Sequence, residues 1–399
     1  MVRGWHVKVA VPLAVAVPSL VVRLSGTQLE PLLSVLVFGA GIVASAFLLA
    51  WAAEAAEADI SASLAVAVLA FIAVLPEYAV DLYFAYASGS RPEFEQYAAA
   101  NMTGSNRLLL GLGWPLITLV FVVATRRRGG EASGIRLEPR RRVELGFLAV
   151  AGVYAFLIPM TRRLSLFDAV VLLTLFALYI RTVARQPRSE PEFAGVAADL
   201  AALPKRRRRL AVSGLFLAAA TVILCAAEPF AEGLIATGER FGIDQFLLVQ
   251  WLAPLASEAP EFIVAALWAA RLKGDAAMGT LLSSKVNQWT LLVGTIPVAH
   301  ALGGGGFSLS LDGRQAEEFL LTAAQTVLGL AILMNLELSL KEAGLLFGLF
   351  AVQFLSPQTE VRLGFAALYL LVAMVFLWRQ RADLRQVLAG MRPRRSRRR

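Results

Sequence analysis

The sequence predicts an all-α polytopic membrane protein of about twelve transmembrane helices, arranged as two inverted five-helix repeats with one extra span at each end. Three observations predict it. Apolar residues make up 58% of the 399 and charged residues 17%, with a mean hydropathy of +0.65, whereas a soluble domain runs near half apolar and about a quarter charged. The apolar excess falls in blocks of roughly 17 to 25 residues, the length that spans a hydrocarbon core. Several short elements also recur in the same order in the two halves of the chain. This composition excludes a soluble enzyme, a disordered chain and a secreted disulfide scaffold.

Hydropathy places the spans at 8–24, 31–53, 60–88, 95–124, 143–161, 164–184, 209–236, 242–272, 276–300, 316–335, 341–356 and 361–378. The first follows Arg3 and Lys8 and has the alternative of a signal peptide, although no small-x-small cleavage site follows it cleanly. One set of loops holds Arg126–Arg128, Arg140–Arg142, Lys205–Arg209, Arg271 with Lys273, and Lys341. The opposite set holds little beyond Arg91, Arg162, Arg163, Arg240 and Arg314. The positive-inside rule then puts both termini in the cytoplasm, which suits an even number of spans and a bacterial-type plasma membrane.

The net charge of +9 is concentrated in the tail. From Arg379 onward there are nine arginines and one acid, Asp383, so the tail carries 9 − 1 = +8. A basic tail after a last span faces anionic lipid rather than nucleic acid. Cys225 is alone, and His6 and His300 are too few for an imidazole metal site. No Walker loop, HExxH or GxSxG occurs, and Gly303–Gly306 opens no phosphate cradle. No organic cofactor is implied.

The repeats set the architecture. Leu164-Ser-Leu-Phe-Asp-Ala169 returns as Leu338-Ser-Leu-Lys-Glu-Ala343, and Ala52-Ala-Glu54 returns as Ala226-Ala-Glu228, both 174 residues later. Leu75-Pro-Glu77 returns as Ala259-Pro-Glu261. Each copy covers five spans, and an odd number inserts the second copy upside down, the architecture of secondary transporters. The chain divides accordingly into an N-terminal span (1–30), a first repeat (31–184), a basic cytoplasmic linker (185–208), a second repeat (209–356), an extra span (357–378) and the tail (379–399).

The chemistry lies in the third and eighth spans, each broken by Pro-Glu. Proline frees a backbone carbonyl, and a glutamate at that depth is costly unless it meets a cation or a proton. Each broken span is followed by one that opens on small polar residues: Asn101-Met-Thr-Gly-Ser-Asn106 and Gly279-Thr-Leu-Leu-Ser-Ser-Lys285. Their hydroxyl and amide oxygens are hard ligands, and their small size lets helices approach. One such element reads equally as a proline kink with packing serines. Two at matching places in an inverted repeat point to an ion site.

With these motifs the chain resembles the calcium:cation antiporter superfamily, the sodium/calcium exchanger membrane region, over most of residues 31–356. The family's elements read approximately G-T-S-x-P-E and G-N-x-x-G-S-N-x-x-N. The resemblance implies a secondary cation antiporter, exchanging Ca²⁺ or another cation against Na⁺ or H⁺ by alternating access. It implies Glu77 and Glu261 as the main ligands, with oxygens from Asn101, Ser105, Asn106, Ser257, Ser283 and Ser284 in support.

Departures qualify the match. The Thr-Ser pair is Ala73-Val74 in the first copy and Ser257-Glu258 in the second, which adds a carboxylate to the candidate ligands. The closing Asn is Lys285, the later Asn is Leu109 or Gln288, and the first Asn of the second copy is Thr280. With Glu77, Glu258 and Glu261 ionised and Lys285 charged, the site carries −3 + 1 = −2, suited to one Ca²⁺, two Na⁺ or two protons. Lys285 is expected to balance charge by pairing with Glu258 or Glu261. Asp81, one helical turn after Glu77, is a further charge-balancing candidate with Arg107 as its expected partner. The alternatives are a Na⁺/H⁺ antiporter on the same fold and a non-transporting exchanger-like membrane protein. An intramembrane protease lacks the aspartate pair or serine-histidine pair it needs.

Overall fold

The computed structural model describes residues 5–59, 75–186, 193, 195–354 and 358–381. Ala73, Val74 and the tail beyond Arg381 lie outside the described residues. Helices occupy the described part of each predicted span: α1 (Trp5–Ser25), α2 (Pro31–Ala56), α3 (Leu75–Ser88), α4 (Pro92–Arg127), α5 (Pro139–Thr161) and α6 (Leu166–Val183). In the second half lie α7 (Lys205–Phe241), α8 (Gln245–Ala270), α9, α10 (Gly313–Leu333), α11 (Leu340–Phe354) and α12 (Thr359–Arg379). Helix α9 runs through Gly274–Asn287, a π turn at Gln288–Leu292, and Val293–Leu302.

Among the described residues, nine of these helices are long and apolar enough to cross a membrane. The other three are α3, described from Leu75; α11, with 15 residues; and α9, interrupted by Asp275, Lys285, Asn287, Gln288 and His300. Of these residues, Lys285 and Gln288 lie at the candidate site, whereas Asp275 binds Arg140 and Arg141 and His300 bonds Ser88. Helix α10 sits at the centre with 83% of its apolar window buried, while α1, α6 and α12 bury 17%, 22% and 22%. Val11, Val15 and Val21 on α1 and Leu371, Met374 and Trp378 on α12 point outward, as helices solvated by lipid do.

The recurring Leu-Ser-Leu elements have a local cause. Ser165 and Asp168 form a reciprocal capping box at the start of α6. Ser339 and Glu342 form the same pair at α11: Glu342 accepts from the Ser339 amide at 2.8 Å, and the Ser339 hydroxyl accepts from the Glu342 amide at 3.3 Å. Each satisfies helix-end donors and is worth about 1 kcal/mol. At the other end of the repeat, Arg208 at the start of α7 grips both Asp59 oxygens at 2.8 Å, and that bonding holds the Asp59 carboxyl below its usual range.

Among the described residues, four short strands, absent from the sequence reading, pair in a pattern that fits an inverted arrangement. They are β1 (Gly134–Arg136), β2 (Arg163–Ser165), β3 (Ser308–Ser310) and β4 (Glu337–Ser339). The offset of 174 makes β1 the counterpart of β3, and β2 the counterpart of β4. Yet β1 pairs antiparallel with β4, and β2 with β3. Strands β1 and β2 cap opposite ends of α5, so each pairing brings a strand of one repeat to the far side of the other. Equivalent strands therefore lie at opposite ends of the bundle. The pairing also groups loops 126–142 and 334–341 on one face, and 162–165 with 303–312 on the other, matching the two sets separated by charge.

Candidate ion-binding site

Helices α3, α4, α8 and α9 bring the two Pro-Glu elements and the two small-residue motifs together. Pro260 removes a donor from the α8 interior, next to Glu261. The crossing of α4 over α8 depends on Gly104: a Cβ there would stand 1.8 Å from the Gln250 carbonyl oxygen. Gly104→Ala is therefore expected to force α4 and α8 apart, costing about 1–3 kcal/mol. A lower unfolding midpoint in detergent is the check, and an alanine variant as stable as wild type contradicts so close an approach.

One side chain joins the repeats. The Gln288 amide nitrogen donates to Glu77 Oε1 at 3.1 Å and to Glu258 Oε1 at 2.7 Å. The amide must be turned this way, because its oxygen would repel both carboxylates. Gln288 opens the π turn of α9, and Leu109 opens the matching π turn of α4 (Leu109–Gly113), 179 residues earlier. Such wide turns release backbone groups from the regular ladder and are frequent at functional sites. Glu261 accepts from the Ser284 hydroxyl at 2.9 Å. Ser105 lies close enough to interact with both Glu77 and Glu258.

Around this pair, the buried oxygens Asn106 Oδ1 and Gln288 Oε1 are left without hydrogen-bond partners, while Ser105 faces Glu77 and Glu258, and Asn101 faces Asp81. Orphaned buried oxygens are rare in proteins and costly, and hard oxygens of this kind are chemically suited to a cation. In this arrangement no three of the His, Cys, Asp and Glu side chains among the described residues converge tightly enough to hold a metal ion. The Gln288 amide stands between Glu77 and Glu258.

Two expected ligands face elsewhere or are engaged. Ser283 receives the Tyr179 hydroxyl of α6 at 3.1 Å, one helical step from Ser284 and away from the carboxylates. Ser257 donates back to the Ala253 and Pro254 carbonyls, leaving only its lone pairs. Two expected pairings are corrected. Arg107 does not pair with Asp81: it binds Glu318 at 2.7 Å and Gln353 at 3.0 Å, over the Trp251 ring. Lys285 pairs with neither Glu258 nor Glu261: its ammonium donates to the Asn106 carbonyl at 2.5 Å. One residue advances a helix by about 100°, so the neighbours Asn106 and Arg107 look in different directions. Glu228, of the repeated Ala-Ala-Glu element, is ion-paired with Arg23. The role of Gln288 escaped the sequence reading, where it stood only as a departure from a motif; its π turn gives no local signal.

Buried carboxyl groups brought together from the two halves of a helical membrane bundle are the kind of site that secondary transporters of inorganic cations use. Residues 30–184 and 212–356 match the family described as Sodium/calcium exchanger protein, and the chain belongs to that family, within the calcium:cation antiporter superfamily. A crystal structure of the H⁺/Ca²⁺ exchanger CAX is 42% identical, covers 98% of this chain and of its own, and superposes with a TM-score of 0.93. Native YfkE is 18% identical over 90% of this chain and 99% of its own, with a TM-score of 0.64. A structure of the sodium-calcium exchanger NCX_Mj is 18% identical over 87% of this chain and 99% of its own, with a TM-score of 0.52. The last two show likeness of fold alone. Among curated proteins, none matches the sequence.

Proposed function

We propose that this protein exchanges Ca²⁺ for protons, with Glu77, Glu258 and Glu261 as the carboxylates that carry either. The observation that carries the reading is the Gln288 amide bridging Glu77 and Glu258 amid orphaned oxygens. An amide donor satisfies two carboxylates only until a divalent cation displaces it. Turning that amide would then offer Gln288 Oε1 as one more ligand, beside Ser105, Asn101, Asn106 and Ser284. Ca²⁺ takes six to eight oxygens, which these residues supply between them. Asp81 lies one turn beyond Glu77 and adds negative charge.

Protons are favoured over Na⁺ as the counter-ion because a carboxylate takes a proton without further ligands, whereas Na⁺ needs its own oxygen shell. Ala73, Val74 and Leu109 supply no side-chain oxygen, and Lys285 supplies a donor. Similarity to the exchanger CAX supports the same choice. We also place both termini in the cytoplasm of a bacterial-type plasma membrane, with the arginine tail on anionic lipid; the charge asymmetry of the loops supports it. The division into two repeats joined by a basic linker is part of the same reading.

The test is ⁴⁵Ca²⁺ and ²²Na⁺ flux in proteoliposomes under an imposed pH or Na⁺ gradient. Ca²⁺ uptake driven by a pH gradient, with acidification changes opposite in sign, is expected. Uptake driven only by a Na⁺ gradient overturns the coupling ion. ²²Na⁺ flux against protons without Ca²⁺ movement establishes Na⁺/H⁺ antiport instead, and no flux under any gradient supports the non-transporting alternative.

A further inference from the structure

The two repeats differ in charge at one matched position of their motifs. The spacing of 179 residues makes Lys285 the counterpart of Asn106: each follows a serine, Ser105 or Ser284, and each precedes the first residue of its π turn by three. In the structure these counterparts touch, the Lys285 ammonium donating to the Asn106 backbone carbonyl. Lys285 is fully buried. No carboxylate oxygen among the described residues lies within ion-pair distance of it; it is held instead by the Asn106 carbonyl. Beside that contact on α4, Asn106 Oδ1 is buried without a hydrogen-bond partner, and Ser105 faces Glu77 and Glu258.

A buried ammonium held by a carbonyl and set beside a free amide oxygen and nearby carboxylates is a monovalent cation on a tether. We propose that Lys285 fills, with its own charge, the place of a second, monovalent cation between the repeats and so excludes Na⁺ from transport. An added Na⁺ beside the Asn106 carbonyl would meet the ammonium's repulsion. At the matched position, Asn106 offers an oxygen and no charge, so the exclusion comes from one repeat alone. This inference rests on the proton-coupled reading above.

The test compares wild type, Lys285→Asn and Lys285→Arg in proteoliposomes. The readout is the ratio of ⁴⁵Ca²⁺ uptake driven by a Na⁺ gradient at equal pH to uptake driven by a pH gradient. Lys285→Asn is expected to raise this ratio at least tenfold, with ²²Na⁺ entering; Lys285→Arg keeps the wild-type ratio. A Lys285→Asn protein that still moves Ca²⁺ with an unchanged ratio overturns the inference and leaves Ca²⁺/H⁺ exchange standing. Wild type driven by Na⁺ alone overturns both. A measurement independent of folding of the variants is Na⁺ against choline at equal ionic strength on wild-type Ca²⁺ uptake. No effect is expected, and competitive inhibition by Na⁺ overturns the inference.

Discussion

Glu261→Gln is expected to lower pH-driven ⁴⁵Ca²⁺ uptake at least ~100-fold, equivalent to about 2.7 kcal/mol of lost ion stabilisation. Glutamine keeps the shape of the side chain and its bond from the Ser284 hydroxyl, so the loss isolates the charge. Glu77→Gln, which alters the opposite repeat, is expected to do the same. Its amide would also confront the Gln288 nitrogen that now donates to Glu77, which turns one favourable contact into an encounter that requires rotation. Ser257→Ala serves as the contrast. Its hydroxyl proton is committed to the α8 backbone, and removal of one supporting lone pair changes uptake by a few-fold at most. Glu261→Gln protein that is folded, by gel filtration, and retains uptake within about threefold of wild type would falsify the assignment of this carboxylate to the transported ion.

The second large effect lies behind the site, where Arg107→Met is expected to destabilise the fold by roughly 3–5 kcal/mol, the cost of breaking a buried pair from one side. Arg107 is fully buried on α4, and Glu318 on α10 is nearly so. Removing the guanidinium leaves Glu318 with only Arg362 at 3.8 Å, which itself binds Glu317 at 2.6 Å. It also strips the Gln353 oxygen of α11 of its donor. The double variant Arg107→Met with Glu318→Gln is expected to regain most of the loss, because exchanging a whole buried pair for neutral groups is often nearly free. Unfolding midpoints in detergent for the two singles and the double give the coupling directly. Additive losses would show that the pair does not hold α4 to α10, and would weaken the view of α4 as a fixed wall of the site.

These two effects differ in how far they could be foreseen. The carboxylates announced themselves: an acid beside a proline inside an apolar run is legible from local composition, and its duplication is legible from spacing. The partner of Arg107 was not, because Glu318 and Gln353 lie on α10 and α11, the latter 246 residues away. The sequence neighbour that suggested Asp81 sits on a different side of α4. Lys285 was misread for the same reason. Net charge near a site can be summed from the chain, but whether an ammonium reaches a carboxylate or a backbone carbonyl depends on ångström-scale helix placement.

By itself, then, the sequence determined the membrane-spanning character, the recurrence of short elements in the two halves, and the acids at positions 77, 258 and 261. Each of these rests on hydropathy, periodicity or local composition that travels with a few neighbouring residues. Only the tertiary structure decided that Gln288 reaches 211 residues back to Glu77 and 30 residues back to Glu258. It alone turned Ser283 toward Tyr179, seated Lys285 on Asn106, and paired β1 with β4 and β2 with β3. Those outcomes depend on how helices cross and rotate against one another, and a rotation of a single residue step is enough to exchange one partner for another.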